Sequence, residues 1–381
     1  GKITNLLESL VEAVNMDKGN PGEILEQIKR YHRAIAQDLF PDEKHAVHES
    51  LREVFFTLQD NCATGKFSFY NETYDQITSQ GELISSKIVS AYLSESGLNS
   101  SWLDVRNVVK TDATYREGVV DWEKTEVLAQ QYFSSNTKNS IVITQGFLGQ
   151  TEQGLTTTLG REGSDYTAAI LAYCTNAESV TIWKDVPGVM NADPKWFDET
   201  KLIEHMSYQD AIELAYYGAT VIHPKTIKPL QNKKIPLYVR SFLQPDEKGT
   251  LINSHKSQLP IPCFIFKVDQ LLLSISPKDF SFIVEENFSD IFKLFSEEGV
   301  KIQVMQNSAI SFSVCVDNNE KKTPQLIKIL QSKYRVLYNA GVELITIRYY
   351  NQATIDRVCV GKKVFLEHKS RYTVQLVVKN K

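Results

Sequence analysis

Apolar residues near the amino end recur three and four positions apart, which is the period of an amphipathic helix. The pattern is clearest in GKITNLLESLVEAV and HAVHESLREVFFTLQ, and it extends over most of residues 1–98. Polar and helix-breaking residues at 20–22 predict a boundary before a second helix over residues 23–39. Thr4 and Asn5 are expected to cap the first helix. The first hundred residues are therefore predicted to be mostly helical.

Short apolar runs alternate with helical stretches beyond residue 100. The predicted strands are SWLDVRNVV, IVITQGF, VTIWKDV and IPLYVRSF, and helices are predicted over residues 164–175 and 207–217. The helix over residues 164–175 is apolar on nearly every side, so it should lie buried between other elements. Strands separated by helices favour an α/β core with a mainly parallel sheet.

The pattern changes after Gly249, where SHKSQLPIP has the composition of a linker. Two similar successions of strand, helix, strand and strand follow. The first covers 264–275, 288–298, 300–306 and 309–316, and the second covers 342–349, 351–360, 363–368 and 372–379. The two copies share this pattern without sharing residues. Small units of this kind commonly bind ligands between paired sheets, and a plain dimerisation domain is the alternative.

The composition fits a globular protein with two or three cores, since 42% of the 381 residues are apolar. A net charge of −4 and a pI of about 6.1 leave no basic stripe, which argues against a nucleic-acid partner. No apolar run approaches the ~20 residues of a membrane-spanning helix. The five cysteines are widely spaced and form no CxxC pair, so reduced thiols in a cytoplasmic protein are expected.

Residues 141–194 contain the segment richest in candidate chemistry. They predict a strand, a glycine- and threonine-rich loop, a helix, a second strand and a tight turn. Such a loop beside a helix N-terminus presents backbone N–H groups that bind anions. Arg161 lies in this loop, and its guanidinium matches a carboxylate with two parallel hydrogen bonds. Ser164 also suits the N-cap and Asp165 the first helical turn, so spacing alone leaves capping and anion binding equally open, and the nearby glycines and threonines favour binding.

Other polar features have both a local and a functional interpretation. Residues 184–188 follow a predicted strand directly, and open α/β sheets bind ligands at the carboxyl ends of their strands. A second tight turn at residues 191–194 either connects elements or wraps a nucleotide. Glu82 is expected to open a helix over residues 83–93, where a carboxylate is favoured with or without a ligand ammonium. Thr4 has the same ambiguity between a cap and a ligand hydroxyl.

Taken together, these segments resemble the aspartate kinases of the amino acid kinase family. The matching pieces follow the family's order, with two ACT-like units downstream of GKITNLL, SQGELISSK, VITQGFLG, TTTLGREGSDYTAA, WKDVPGVMNADP and YYGATVIHPKT. The resemblance implies an α/β kinase domain over 1–252, with a mainly parallel sheet sandwiched by helices, and ACT-like α+β units over 263–337 and 338–381. Relatives carry a first strand and a lysine-bearing glycine loop before the segment that begins this chain. Because the chain ends at Lys381 after the last ACT-like strand, a monofunctional kinase is expected.

The implied reaction transfers the γ-phosphoryl group of ATP, with Mg²⁺, to the side-chain carboxylate of L-aspartate. The product is 4-phospho-L-aspartate, which opens the biosynthesis of lysine, threonine and methionine. The positions that match the family around the nucleotide are Lys184, Asp185, Met190, Lys195, Thr220 and Val221. Thr220 stands where relatives often carry a lysine, and Lys184 and Met190 replace a threonine and a tyrosine.

The resemblance also implies the substrate contacts. Arg161 would clamp the α-carboxylate, assisted by Ser164 and the Gly163 amide. Glu82 would take the α-ammonium. Asp165 would orient a phosphate-binding lysine or organise the water shell of the metal. The residues that complete the implied pocket are Thr4 and Phe147.

In aspartate kinases with ACT units, an amino acid end product binds between paired units and inhibits the enzyme. The candidate effector contacts here are Asn287, Phe288, Gln303, Gln306, Asn307 and Ser308. Gln303 stands where a lysine-specific pocket is expected to offer a carboxylate, which favours threonine over lysine as the effector. ACT units generally pair across subunits, so at least a homodimer is expected. A catalytically inactive, amino-acid-sensing regulatory subunit of the same family is the alternative function.

Overall fold

The computed structural model describes residues 2–16, 18–63, 66–136, 140–197, 199–219, 222–255, 261–279 and 281–381. The chain divides into two compact units. The first is Gly1–Ile182 with Ile222–Leu237, and the second is Trp183–Val221 with Tyr238–Lys381. The domain bounds expected from the sequence remain predictions. Among the described residues, no helix combines the length and the apolar character needed to cross a membrane.

The amino-terminal part of the chain is helical, as its apolar period predicts. The helices are α1 (Lys2–Met16), α2 (Pro21–Leu39), α3 (Ala46–Asn61), α4 (Tyr70–Glu95), α5 (Trp122–Asn136), α6 (Gly163–Thr175), α7 (Tyr208–Tyr217), α8 (Pro224–Lys233), α9 (Glu285–Glu297), α10 (Lys322–Lys333) and α11 (Gln352–Cys359). The start of α2 follows its capping signals, since the Asn20 side chain accepts the Gly22 N–H at 3.0 Å and Pro21 occupies the first turn.

Two helix starts predicted from the sequence are wrong. Helix α1 begins before Thr4, so Thr4 and Asn5 lie inside it instead of capping it. Helix α4 runs unbroken through Gly81, so Glu82 lies in its middle. A Cβ at Gly81 would lie 2.7 Å from the Leu7 side chain of α1. The glycine is therefore explained by the close approach of two helices and not by a helix boundary.

Short strands accompany these helices, and long strands follow them. The strands are β1 (Ser100–Leu103), β2 (Ile141–Thr144), β3 (Leu148–Gln150), β4 (Thr156–Thr158), β5 (Val180–Lys184), β6 (His205–Ser207), β7 (Leu237–Ser241), β8 (Thr250–Asn253), β9 (Cys263–Ser276), β10 (Ile302–Asn307), β11 (Phe312–Asp317), β12 (Arg335–Arg348), β13 (Lys362–Lys369) and β14 (Thr373–Asn380). Strands β1 and β2 pair in parallel, β3 and β4 pair antiparallel, and β5-β7-β8-β6 form a four-stranded sheet in which β6 and β8 are parallel. The alternation with helices confirms the α/β class of this part.

Helix α6 is central to the core of the first unit. It buries Thr167, Ala169, Ile170, Ala172 and Cys174, as the apolar run predicts. The apolar cluster around it also includes side chains of α3, α4, α5 and β1. Burial on several sides fixes the orientation of the helix, and therefore of the N-terminus that carries the predicted anion site.

An antiparallel sheet of six strands, in the order β10-β11-β9-β12-β14-β13, dominates the second unit. Both predicted successions are present, as β9-α9-β10-β11 and β12-α11-β13-β14. The long strands β9 and β12 join the two copies into one sheet. Helix α10, which the sequence did not predict, shares an apolar cluster with α9. The structure confirms an ACT-like α+β region.

Candidate active site

A cleft of about 730 Å³ in the first unit collects the side chains that the sequence predicts to contact substrate. Among its lining residues are Thr4, Glu82, Phe147, Arg161, Gly163 and Ser164. They come from α1, α4, the turn between β2 and β3, the loop after β4 and the start of α6. Segments far apart in the sequence thus converge on one cavity.

The turn that carries Phe147 is held against the first turn of α6. Phe147 has a φ of 73°, in the left-handed region. Its N–H donates to the Thr167 hydroxyl at 2.8 Å, and its carbonyl accepts the Leu159 N–H at 2.8 Å. A Cβ at Gly163 would lie 2.6 Å from the Phe147 ring, so the glycine permits this contact. These contacts fix the cleft wall.

Helix α6 starts one residue earlier than expected, and its N-cap lies two residues before Ser164. Glu162, with a φ of 55° and no capping side chain, occupies the N-cap, so Ser164 lies in the first turn and is not the N-cap. The left-handed Glu162 ends the loop and starts the helix early. The Gly163 N–H donates to the Gly160 carbonyl at 3.0 Å. The Ser164 N–H has no acceptor within the described residues, so it is open to an anion.

Glu82 is a half-buried carboxylate in the middle of α4. It forms no hydrogen bond or ion pair with any described residue. Burial raises the pKa of Glu82, because the charged form loses solvation without a compensating partner. A carboxylate in this condition is suited to a positively charged ligand such as an ammonium group.

Arg161 offers the opposite charge at the rim of the same cleft. Its side chain is exposed and forms no ion pair among the described residues. Nearby, Glu162 leaves one buried carboxylate oxygen without a partner. His223, the N-cap residue of α8, lies close to both, and burial is the main reason that its pKa is lowered. The cleft therefore holds charges of both signs that the described protein does not neutralise.

The structure adds cleft residues that the sequence did not identify. Tyr74 and Arg116 line the cavity, and Thr158 does so from β4. The buried Asp75 accepts the Arg116 N–H at 2.9 Å, the Thr158 N–H at 2.9 Å and the Thr158 hydroxyl at 2.7 Å. A signal was present in the sequence, since TYDQITSQ places polar residues on every side of a helix whose neighbours are amphipathic.

The described residues predicted to contact nucleotide belong to the second unit. Lys184 is the last residue of β5, and Asp185 follows it. Met190 forms an antiparallel bridge with Leu202 beyond the turn, and the Lys195 N–H donates to Asp193 at 2.9 Å. Thr220 and Val221 lie outside the described residues. These four described residues thus lie at the end of one strand and in the turns after it. Asp165, which is predicted as a catalytic residue, lies in the first turn of α6.

Most of the residues predicted to contact an effector already have local partners. The Asn287 side chain accepts the Val284 N–H at 2.9 Å at the start of α9. The Gln303 side chain accepts a hydrogen bond from Lys267 at 2.7 Å and donates to Asp317 at 3.0 Å.

The other predicted effector contacts do not share one face. Phe288 stacks edge-on against Phe312, and the hydroxyls of Ser308 and Ser311 lie 2.8 Å apart. Gln306 and Asn307 are exposed neighbours on β10. Their side chains lie on opposite faces of the sheet, so they do not line one pocket on a single face.

Comparisons with known proteins decide the family. The model described as "Amino acid kinase family" matches residues 11–241. The lysine-sensitive aspartokinase 3 of Escherichia coli (strain K12) is 30% identical over 374 residues, covering 95% of this chain and 81% of that protein. The chain belongs to the aspartokinases of the amino acid kinase family.

Solved aspartokinases share its fold over nearly the whole chain. E. coli aspartokinase III in complex with lysine and aspartate superimposes with a TM-score of 0.82 at 26% identity, covering 98% of this chain and 86% of that one. The same enzyme with aspartate and ADP gives a TM-score of 0.80 at 26% identity, covering 99% and 87%. The bifunctional aspartokinase/homoserine dehydrogenase 2 of Arabidopsis thaliana is 30% identical, but this chain spans only 38% of its length and 89% of the chain is covered.

Proposed function

We propose that this aspartokinase transfers the γ-phosphoryl group of ATP to the side-chain carboxylate of L-aspartate, giving 4-phospho-L-aspartate. One observation carries the proposal. Glu82 and Arg161 line the same cleft, and neither is neutralised by a described residue. An amino acid with a free ammonium and carboxylates complements that arrangement, and E. coli aspartokinase III is known with aspartate and ADP bound.

The acceptor needs orientation and charge compensation more than a base. A carboxylate is already ionised at neutral pH, so no proton must be removed before it attacks phosphorus. Glu82 binds the α-ammonium, Arg161 binds the α-carboxylate with the Ser164 N–H, and Thr4 donates its hydroxyl to the same substrate end. These contacts hold the side-chain carboxylate towards the nucleotide. Their main contribution is to offset the repulsion between two anions.

The nucleotide contacts are assigned to Lys184, Asp185, Met190 and Lys195, with Thr220 and Val221. Mg²⁺ accompanies the phosphates and supplies charge neutralisation when bound. Such ions take one or two protein carboxylates and keep several waters, so a dedicated protein cage is not required. Asp165, in the first turn of α6 next to Ser164, is assigned to organising that water shell or to orienting a phosphate-binding lysine.

The ACT-like sheet is assigned to feedback inhibition by an amino acid end product of the lysine, threonine and methionine route, in a homodimer or higher assembly. The lack of a carboxylate at position 303 favours threonine as the effector. The Asp317 carboxylate lies within hydrogen-bonding distance of Gln303, at 3.0 Å. Asp317 already accepts hydrogen bonds from both Gln270 and Gln303. Because the E. coli relative is lysine-sensitive, lysine is the first effector to test, and threonine, which the amide at position 303 favours, is the second.

The test is formation of an acyl phosphate, trapped as a hydroxamate, from ATP and L-aspartate. Wild-type protein expressed from its full coding sequence should form product, and Arg161→Ala in that protein should lower kcat/KM by about two orders of magnitude, because it removes a charge-assisted contact. Arg52→Ala, at an exposed arginine of α3 paired with Glu49, is the matched control and should be unaffected. Lysine binding without any hydroxamate would reject the kinase and favour an inactive sensor.

A further inference from the structure

We infer that Arg116 is a second substrate guanidinium, which binds the aspartate carboxylate that Arg161 does not hold; the inference rests on the proposed function. L-Aspartate carries two carboxylates and one ammonium. The cleft presents the complementary set, with Arg116 and Arg161 as cations and the half-buried Glu82 as the anion. The other carboxylates that line it, Glu117 and Glu162, lie beside His223 at the start of α8.

The backbone at Arg116 has an unusual conformation that a distant side chain stabilises. Its φ of 68° is in the left-handed region, which disfavours any residue with a Cβ. The buried Asp75 stabilises the conformation by accepting the Arg116 N–H, while the same carboxylate fixes Thr158 on the neighbouring strand. Strained residues persist only where their surroundings over-determine them, and they cluster at ligand sites. Glycine would adopt this positive φ without strain. The presence of an arginine at this position therefore needs an explanation other than the backbone conformation.

The Arg116 guanidinium lines the cleft, and the buried Asp75 carboxylate acts on it electrostatically without forming an ion pair. The guanidinium lies 4.3 Å from the centre of the Tyr74 ring, and Tyr74 also lines the cavity. It forms no ion pair with any described residue. Stacking on an aromatic face orients a guanidinium and leaves its N–H edge available for a carboxylate.

Arg116 and Arg161 rise from neighbouring backbone segments. A Cβ at Gly160, the residue before Arg161, would lie 3.1 Å from the Arg116 carbonyl oxygen. Two guanidinia that start from touching segments and line one cleft are suited to the two ends of a short dicarboxylic amino acid. A second arginine would compensate the other substrate carboxylate in a site that must also receive a phosphoryl group.

The test uses neutral analogues that each remove one carboxylate charge. Dissociation constants of the full chain are measured by calorimetry for L-aspartate, L-asparagine and L-isoasparagine, whose amide replaces the α-carboxylate. Arg116→Gly should lower aspartate affinity at least about tenfold and remove the preference for aspartate over L-asparagine, which lacks the side-chain carboxylate. Arg161→Ala should remove the preference over L-isoasparagine, which lacks the α-carboxylate. Arg52→Ala should leave both preferences unchanged.

A structural role for Arg116 predicts a different result. Because glycine accepts a positive φ without strain, Arg116→Gly should melt at or above the wild-type temperature while binding aspartate more weakly. A lower melting temperature with equal weakening of all three ligands would overturn the inference. If Arg116→Gly fails to fold, Arg116→Lys keeps the charge and loses the fork, so it should bind aspartate with reduced preference over the same amide, and an unchanged preference overturns the inference.

The outcomes separate the two proposals. Wild-type chain that binds none of the three ligands overturns the proposed function together with the second guanidinium. Wild-type chain that binds and phosphorylates aspartate, with both preferences intact in Arg116→Gly, overturns only the role of Arg116.

Discussion

Glu82 lines the cleft with the other predicted substrate contacts, although the helix boundary predicted beside it is wrong. The sequence placed it at a helix start, because glycine followed by glutamate resembles a helix boundary. The structure places it in the middle of α4, where Gly81 accommodates Leu7 of another helix. That contact is tertiary, so no local pattern reveals it. The partial burial of Glu82 follows from the same packing, and its expected partner is the substrate.

Glu82→Gln is expected to stabilise the ligand-free protein while weakening aspartate binding. The raised pKa of Glu82 means that the folded state favours the neutral carboxyl, so wild-type protein loses this stability as the pH rises through that pKa. Glutamine carries no charge to bury, so the gain in melting temperature over wild type should grow between about pH 4 and about pH 8. Aspartate affinity should fall at least about tenfold, since the ammonium loses a charged partner.

The control for this variant is Glu53→Gln, at an exposed position of α3. It should change neither the melting temperature nor the affinity. A gain in melting temperature for Glu82→Gln that is the same at every pH would contradict the explanation based on the buried charge.

At the scale of elements, periodicity predicted most helices and strands, and their ends were predicted less well. The sequence predicts α2 over residues 23–39, whereas its local signals, Asn20 at the N-cap and Pro21 in the first turn, start it at Pro21. The start of α6 does not follow from sequence, because it depends on Glu162 in the left-handed conformation. Glycine is the residue that usually signals this conformation in a sequence. Arg116 is a second case, held by Asp75 from a distant helix. Such positions are fixed by tertiary hydrogen bonds, which a single sequence does not display.

His223 caps α8 with an imidazole, and this makes the helix sensitive to pH. The neutral ring nitrogen Nδ1 accepts the Lys225 N–H at 3.1 Å, and burial lowers the pKa of His223. A lowered pKa contributes stability that is present above about pH 6.5 and is lost as the pH falls through the folded-state value. His223→Asn keeps a good cap without a titrating group.

Thermal unfolding checks this expectation. Wild type and His223→Asn should melt at similar temperatures near pH 8, and wild type should fall below the variant near pH 5. His368→Asn, on an exposed part of β13, should melt in parallel with wild type at both pH values. Parallel loss of stability in His223→Asn and wild type would show that the imidazole cap is not responsible.

On the scale of the whole molecule, the residues predicted to bind substrate belong to one unit, and the described residues predicted to bind nucleotide or effector belong to the other. The cleft lies in the first unit, while the described nucleotide residues and the ACT-like sheet belong to the second. The sequence predicted both the kinase part and the ACT-like part, but not this division. The chain leaves the first unit after Ile182 and returns to it at Ile222, which is a long-range arrangement without a local signature.

Arg348 tests the independence of the cleft from the interior of the second unit. Its side chain is 5% exposed and is held by Asp210 at 2.6 Å and by Glu213. Arg348→Met leaves the buried Asp210 without its cation, which should destabilise the protein by about 3–5 kcal/mol. The dissociation constant for aspartate should stay within about twofold of wild type, because no cleft residue is touched.

Chemical denaturation and calorimetry measure the two quantities separately. Arg371→Met, at an exposed arginine of the same unit, should change neither of them. An Arg348→Met protein with wild-type stability would show that the ion pair makes no net contribution to the free energy of unfolding. A large loss of aspartate affinity would show that the two units are energetically linked.

Gly81 precedes Glu82 by one residue, and the Leu7 Cδ1 methyl group occupies the space that a side chain at position 81 would need. Thr4 lies about one turn before Leu7 on α1. A bulkier residue at position 81 would push away the helix that carries Thr4. The width of the acceptor pocket therefore depends on the packing between α1 and α4. Adaptation to a longer dicarboxylic amino acid would therefore begin at positions that the ligand never touches.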